Sequence, residues 1–220
     1  GMLSEAGEAH RAQHGYGLAG DDGTRIAAFG IDCQISFCHP DGGLFVPGAV
    51  EDAGRAIGWL YRHLDRVTET IWSLDTHELH QIFHPAFWRD REGRRPAPFT
   101  AITAAEVKAG QWVPRERFGR ALEYCEKLEA TGKYVLTVWP YHGILGGLAN
   151  ALLPAFAEAM CFHAFAREAP PRLVAKGRQP WTEMYSALSP EVRELEGETL
   201  GGFDEGLFRH LMSFDRVYVF

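Results

Sequence analysis

Apolar positions change their spacing several times along this chain, and each change marks an element. Arg25 to Ile31 is a short apolar run closed by Asp32, the pattern of a parallel strand buried on both faces. From Val50 to Leu64 the apolar positions Ala53, Ala56, Ile57, Leu60 and Leu64 recur at helical spacing. Thr70 to Leu74 repeats the strand pattern and again ends at an aspartate, Asp75. A helix is expected from Pro114 through Glu129, stopped at Gly132, then a strand from Tyr134 to Val138 that ends at Trp139-Pro140. An Ala-rich helix from Leu148 to Arg167, a strand from Arg172 to Ala175, a helix from Asp204 to Ser213 and a strand from Arg216 to Phe220 complete the series.

Strands alternating with helices predict a three-layer α/β/α fold with a mainly parallel sheet. Residues 1–24 are polar and rich in Gly, Ala and His, and read as a flexible N-terminal tail, leaving 25–220 as one domain. Between Thr76 and Pro114 the periodicity disappears, and prolines 85, 96 and 98 accompany a basic cluster from Arg89 to Arg95. That stretch is too long for an ordinary connection, so an inserted loop or subdomain is expected at about 85–132.

Composition narrows the function classes. The 220 residues are 46% hydrophobic and 23% charged, ordinary for a globular domain, with a net charge of -7 and no long basic run. Nucleic-acid binding is not expected, because phosphate contacts need clustered Lys and Arg. No segment approaches the roughly 20 apolar residues that cross a bilayer, and the N-terminus has no apolar signal core. The four cysteines 33, 38, 125 and 161 lack the spacing of a zinc knuckle or a disulfide scaffold, which suits a reducing, cytoplasmic setting.

In parallel sheets the ligand site lies beyond the carboxyl ends of the strands. Here those ends carry Asp32, Asp75, Trp139 with His142, and Lys176. Asp75-Thr76-His77 places a carboxylate and an imidazole two residues apart; with a third ligand they form a two-histidine, one-carboxylate site with open positions. His142 is the leading third ligand, and His80 and His84 are alternatives; the bland reading is a loop that is merely histidine-rich, in a chain with 10 His. Asp32 suits a general base or a loop cap. Lys176 suits stabilisation of a developing anion or a plain surface lysine. Phe37, Trp139 and Tyr141 suit a clamp on a flat ring, although strand-end aromatics are more often core. Cys33 directly follows Asp32, so in a strand it faces the opposite side, whereas Cys38 in the following loop can approach the site. Cys125 and Cys161 sit among apolar helical neighbours and read as packing residues.

Taken together, Ile31-Asp32-Cys33-Gln34-Ile35-Ser36-Phe37-Cys38 followed by Gly42-Gly43-Leu44-Phe45-Val46-Pro47-Gly48-Ala49, then Leu74-Asp75-Thr76-His77, Trp139-Pro140-Tyr141-His142 and Lys176-Gly177, resemble the motifs of the nicotinamidase and isochorismatase-like cysteine hydrolases, in order. Thr76 stands where that family usually has Trp, and Gly143 where it often has Cys. The resemblance implies an isochorismatase-like hydrolase fold and a hydrolase of amide C–N bonds, with a small aromatic or heterocyclic amide as substrate. It implies Asp32 as base and Lys176 as its partner, with Phe37 and Trp139 flanking the substrate ring. Asp75, His77 and His142 would hold a divalent metal, zinc foremost, with iron and manganese as alternatives. In the family a strand like Arg216 to Phe220 leads to the nucleophilic cysteine, so the thiol and the last elements of the fold are expected beyond this chain. An open final strand then favours a homo-oligomer. Two other readings compete: a non-catalytic relative that binds metal and a ring-shaped ligand or a protein partner, and hydrolysis by metal-activated water.

Overall fold

Ile26–Gly30 is one of the two inner strands of a four-stranded sheet, a place its wholly apolar composition suits. A computed structural model describes all 220 residues, and in it the chain forms two compact units. The first comprises Gly1–Asp75, Gly146–Ala175 and Glu205–Phe220; the second comprises Thr76–Leu145 and Lys176–Asp204.

The first unit is built on β1 (Ile26–Gly30), β2 (Glu69–Asp75), β3 (Arg172–Lys176) and β4 (Arg216–Val219), in the spatial order β4-β1-β2-β3. β1 runs parallel to both neighbours, with Ala27 opposite Glu69 on one side and Val217 on the other. Parallel neighbours on both edges require long crossovers, and the connections carry the helices α2 (Ala49–Arg62), α3 (Pro154–Arg167) and α4 (Glu205–Leu211), while α1 (Met2–His14) precedes the first strand. α2 buries Ala53, Ala56 and Leu60, and these meet Ala28 and Trp72 of the sheet and Phe156 and Ala159 of α3 in one core. Gly30 permits this fit, since a Cβ there would lie 2.4 Å from the Trp72 ring.

Two segments differ from the sequence reading. Residues 2–14, read as part of a tail, form α1, which packs on α3; Gly7 lets the backbones approach, because a Cβ would fall 2.8 Å from Phe165 Cβ. α3 starts at Pro154 and not at Leu148, since proline suits the first helical position; Leu148–Asn150 forms a single 3₁₀ turn.

The second unit gathers the stretch without periodicity around a core of its own. Ile82, Phe83, Phe87, Trp88, Ile102 and Val107 pack with Ala121, Tyr124, Cys125 and Leu128 of the helix Phe118–Ala130 and with Val192, Leu195 and Leu200. The run Tyr134 to Val138 is not a strand of the central sheet. Only Leu136–Thr137 is extended, paired antiparallel with Ala101–Ile102. Leu136 and Val138 are buried in this core while Tyr134 and Val135 are exposed, so only the second half of the run enters it. No helix of either unit is long and apolar enough to cross a membrane.

Buried polar groups bind α3 to the chain before β2. The Arg167 guanidinium donates to the carbonyls of Leu64 and Asp65 and pairs with Asp22. His163 is fully buried, with Nε2 2.8 Å from the Val67 carbonyl, so that nitrogen donates. Burial, then the Arg167 charge, push the His163 pKa down to about 4. The folded state therefore holds this ring neutral, and its stabilisation is complete above the unfolded value of about 6.5 and lost as pH falls toward 4. Urea unfolding from pH 7 to pH 4 should show a loss that His163→Gln reduces, by up to about 3 kcal/mol; parallel pH profiles for the two proteins would refute this role.

Candidate metal centre and acid–base residues

The site begins with the main chain of Asp75, the last residue of β2. Gln34, fully buried, accepts from the Asp75 amide at 2.7 Å and donates to the Asp75 carbonyl at 2.9 Å. The same carboxamide donates to the Asn150 carbonyl at 2.8 Å, and Asn150 Nδ2 donates back to the Asp75 carbonyl at 3.0 Å. Two side-chain amides thus replace the ladder bonds that a strand loses where it ends. Sequence reasoning quoted Gln34 only as a motif letter; its positioning role has no periodic signal.

One residue on, backbone bonds tie together the segments that carry the histidines. The Thr76 amide donates to the Lys176 carbonyl at 2.8 Å, the His77 amide to the Gly143 carbonyl at 2.9 Å, and the Leu145 amide to the His77 carbonyl at 2.9 Å. Gly143 and Gly177 occupy left-handed conformations, with φ of 54° and 84°.

The ring environments fix the tautomers of both histidines. His77 Nδ1 lies 3.1 Å from the Gly177 carbonyl and His142 Nδ1 lies 2.7 Å from the Pro140 carbonyl. A carbonyl only accepts, so each Nδ1 carries a proton, and in the neutral ring Nε2 is then the nitrogen with the lone pair. Those two Nε2 atoms face one another at 3.2 Å, and ligand atoms of Asp75, His77 and His142 all lie within 4.8 Å of one another. Two lone pairs and a carboxylate oxygen at that spacing fit a divalent cation, and Nδ1–H bonds to carbonyls are the usual outer support of such imidazoles. Gln81 adds to that support, donating to the Gly177 carbonyl at 2.7 Å. Of the two alternatives, His84 is buried beside the pair, and burial, then His77 and His142, lower its pKa to about 3. His80 lies against Arg115 near the surface.

Asp32 and Phe37 belong to the first unit and line one cavity of ≈ 540 Å³ with Ile31, Cys33, Cys38 and Phe156. Asp32 has φ of 52°, an unusual conformation for a residue other than glycine, and Ser73 holds it there. The Ser73 hydroxyl donates to Asp32 Oδ1 at 2.7 Å and accepts from the Asp32 amide at 3.0 Å. Because β1 ends at Gly30 and Asp32 is left-handed, strand alternation stops, and Cys33 lines the same cavity as Asp32 and not the opposite face. Burial, with Cys38 and Asp32 adding, pushes the Cys33 thiol up to about 12; Cys38 is raised as well, and Cys125, in the second core, to about 12.

Trp139 and Lys176 belong to the second unit. Trp139 is half-buried, donates from Nε1 to Glu183 at 2.9 Å and meets Phe99 edge-on at 6.0 Å. Lys176 is buried, with Nζ donating to the Met184 carbonyl at 3.1 Å.

The first unit is built on a parallel α/β sheet, and Asp75 at the end of β2 forms an Asp-His-His cluster with His77 and His142. No protein-family model matches the chain, and no curated protein matches it significantly. Among solved structures it is similar to the yeast nicotinamidase Pnc1p, with a TM-score of 0.56 at 15% identity over 88% of this chain and 73% of that one. The same enzyme bound to the inhibitor nicotinaldehyde gives 0.56 at 16% identity over the same shares, and the Acinetobacter baumanii nicotinamidase gives 0.53 at 18% identity over 88% and 69%. The chain therefore has the fold of the nicotinamidases, the isochorismatase-like α/β fold expected from its motifs.

Added Zn²⁺, Co²⁺ or Mn²⁺ should raise the melting temperature; saturation at about 100 times Kd stabilises by about 2.7 kcal/mol, roughly 5–10 °C at this size. His77→Ala and His142→Ala should each weaken binding on the order of 100-fold or more, read by calorimetry. Equal binding by the wild type and both variants would remove this cluster as the metal site.

Proposed function

We propose that this chain carries the metal-binding and acid–base residues of a nicotinamidase-like amidohydrolase acting on a small aromatic or heterocyclic amide. The observation that carries the reading is the pair of tautomer-locked Nε2 atoms 3.2 Å apart beside a carboxylate. A divalent metal bound there, zinc foremost, supplies a Lewis acid that holds a ring nitrogen. Asp32, fixed by Ser73 in a cavity, serves as the proton acceptor. Lys176 supplies a positive charge for the anion that develops, and Phe37 and Trp139 flank the ring.

The nucleophile in this reading is a thiol outside these 220 residues. It attacks the carboxamide carbon, the C–N bond breaks, ammonia leaves with the proton taken by Asp32, and water then cleaves the thioester. Support comes from the chain's own cysteines, since the thiolate is the reactive form and burial raises three of the four thiols. The same observation favours a second reading, a non-catalytic relative that binds metal and a ring ligand or a protein partner. We propose that 25–220 form the hydrolase domain, with an inserted loop or subdomain at about 85–132. We also propose a cytoplasmic homo-oligomer, supported by β4 as an edge strand whose Val219 is exposed.

Ammonia release from nicotinamide and pyrazinamide, measured for this chain and for the full-length gene product, tests the proposal. Turnover by the full-length product, lowered on the order of 10²–10⁴-fold by Asp32→Asn and by Lys176→Ala, is the expected result. Stoichiometric metal with no turnover in either protein would move the assignment to the binding reading. Turnover by this chain that survives replacement of all four cysteines would exclude the external thiol.

A further inference from the structure

Within the second unit, His84 is the polar side chain whose burial the metal reading does not yet explain. It is 0% exposed, and neither ring nitrogen has a hydrogen-bond partner. The Glu78 and Leu79 carbonyls approach the ring without reaching hydrogen-bond geometry. Its backbone is satisfied: the amide donates to the Gln81 carbonyl at 2.9 Å, and the carbonyl accepts from Phe87 at 3.0 Å. The ring itself is fixed by packing, 4.8 Å from Phe83 and 4.6 Å from Tyr141. If packing were its whole role, a phenyl ring would serve without two buried nitrogens to desolvate.

Position supplies the missing partner. The His84 ring stands edge-on to both histidines of the cluster, 5.8 Å from His77 and 6.4 Å from His142 between centroids. It is nonetheless outside the compact set of ligand atoms that Asp75, His77 and His142 form. A two-histidine, one-carboxylate set leaves coordination positions open, and whatever fills them brings O–H or N–H groups that need partners.

We propose that His84 is a positioning residue of the outer sphere, hydrogen-bonding the water or the polar substrate atom that takes an open position on the metal. This rests on the metal-centre reading above. Its chemical consequence is selection for ligands that carry a hydrogen-bonding group beside the atom that meets the metal.

Co²⁺ binding by wild type, His84→Phe and His84→Gln tests the idea without any assay of turnover. The phenylalanine variant should bind Co²⁺ about 10–100-fold more weakly, keep the wild-type count of nitrogen ligands by X-ray absorption, and shift the pH at which the Co²⁺ bands titrate. Glutamine should restore much of the affinity. Wild-type affinity and an unmoved pH profile in His84→Phe would leave packing as its only role and overturn the proposal. Loss of one nitrogen ligand in that variant would overturn it too, by making His84 a direct ligand. A wild type that binds no metal would sink the metal reading itself, a result separable because it appears before any substitution. Should His84→Phe not fold, ¹⁵N-histidine spectra of the wild type decide: on addition of Zn²⁺ the His84 ring should shift by less than His77 and His142, and an unmoved ring refutes the role.

Discussion

Two imidazole nitrogens that both present lone pairs repel one another, and a protein that holds them 3.2 Å apart must oppose that repulsion with something rigid. Here the opposing structure is a set of carbonyls. The Gly177 and Pro140 carbonyls accept hydrogen bonds from the two Nδ1–H groups, which disfavours the neutral tautomer in which one Nε2 would donate to the other. The carbonyls are themselves placed by backbone bonds among residues 76, 77, 143, 145 and 176, and by left-handed glycines at 143 and 177. A cation bound between the two nitrogens would relieve that repulsion. The remaining features of the cluster, from the Gln34 clamp to Gln81, serve to keep this arrangement from relaxing.

The same logic separates what was legible in the sequence from what was not. β1 announces itself because a strand buried on both faces favours apolar residues. β2 is legible from Ile71, Trp72 and Leu74 although it also buries Thr70 and Ser73, and the aspartates that follow stand out against those runs. Asp75, His77 and His142 were named on residue type and place, and their ligand atoms do lie within 4.8 Å of one another, although the run before His142 is not the sheet strand that placed it. The partner of Leu136 was not legible: an apolar run of five residues looks the same whether it joins a central sheet or pairs with Ala101–Ile102. α1 escaped because a helix rich in Gly, Ala and His has little amphipathic contrast, and the close approach at Gly7 depends on a surface supplied by α3. Gln34 and His84 lay deeper still. A glutamine that clamps a backbone and a histidine stranded without partners are defined by burial, which no single-sequence pattern reports.

Asp32 shows a different kind of constraint. Its left-handed backbone ends the alternation of β1 and brings consecutive residues, Asp32 and Cys33, to one cavity. Strain of this kind persists only where neighbours over-determine it, and Ser73 does so through two hydrogen bonds. The consequence for Cys33 runs against nucleophilic use. Sharing the cavity with a carboxylate and a second thiol, and buried besides, it is held in the protonated form far above neutral pH. Proximity of a thiol to a base is thus not sufficient for an active cysteine; a source of positive potential is also needed, and none of the groups that shift Cys33 supplies it.

These observations set an order of dependence among the proposed parts. The metal cluster needs only local geometry: an extended strand end, two carbonyl-locked rings and the amides that hold them. Acid–base chemistry at Asp32 needs a reacting group with a proton to give, and the buried thiols of this chain hold theirs too tightly to yield readily near neutral pH. On the proposed reading, recognition and turnover would be physically separable: the hydrogen bonds that hold Asp75, His77, His142 and Trp139 lie within the chain, whereas a thiol that attacks an amide needs a positive field that the groups around Cys33 do not supply.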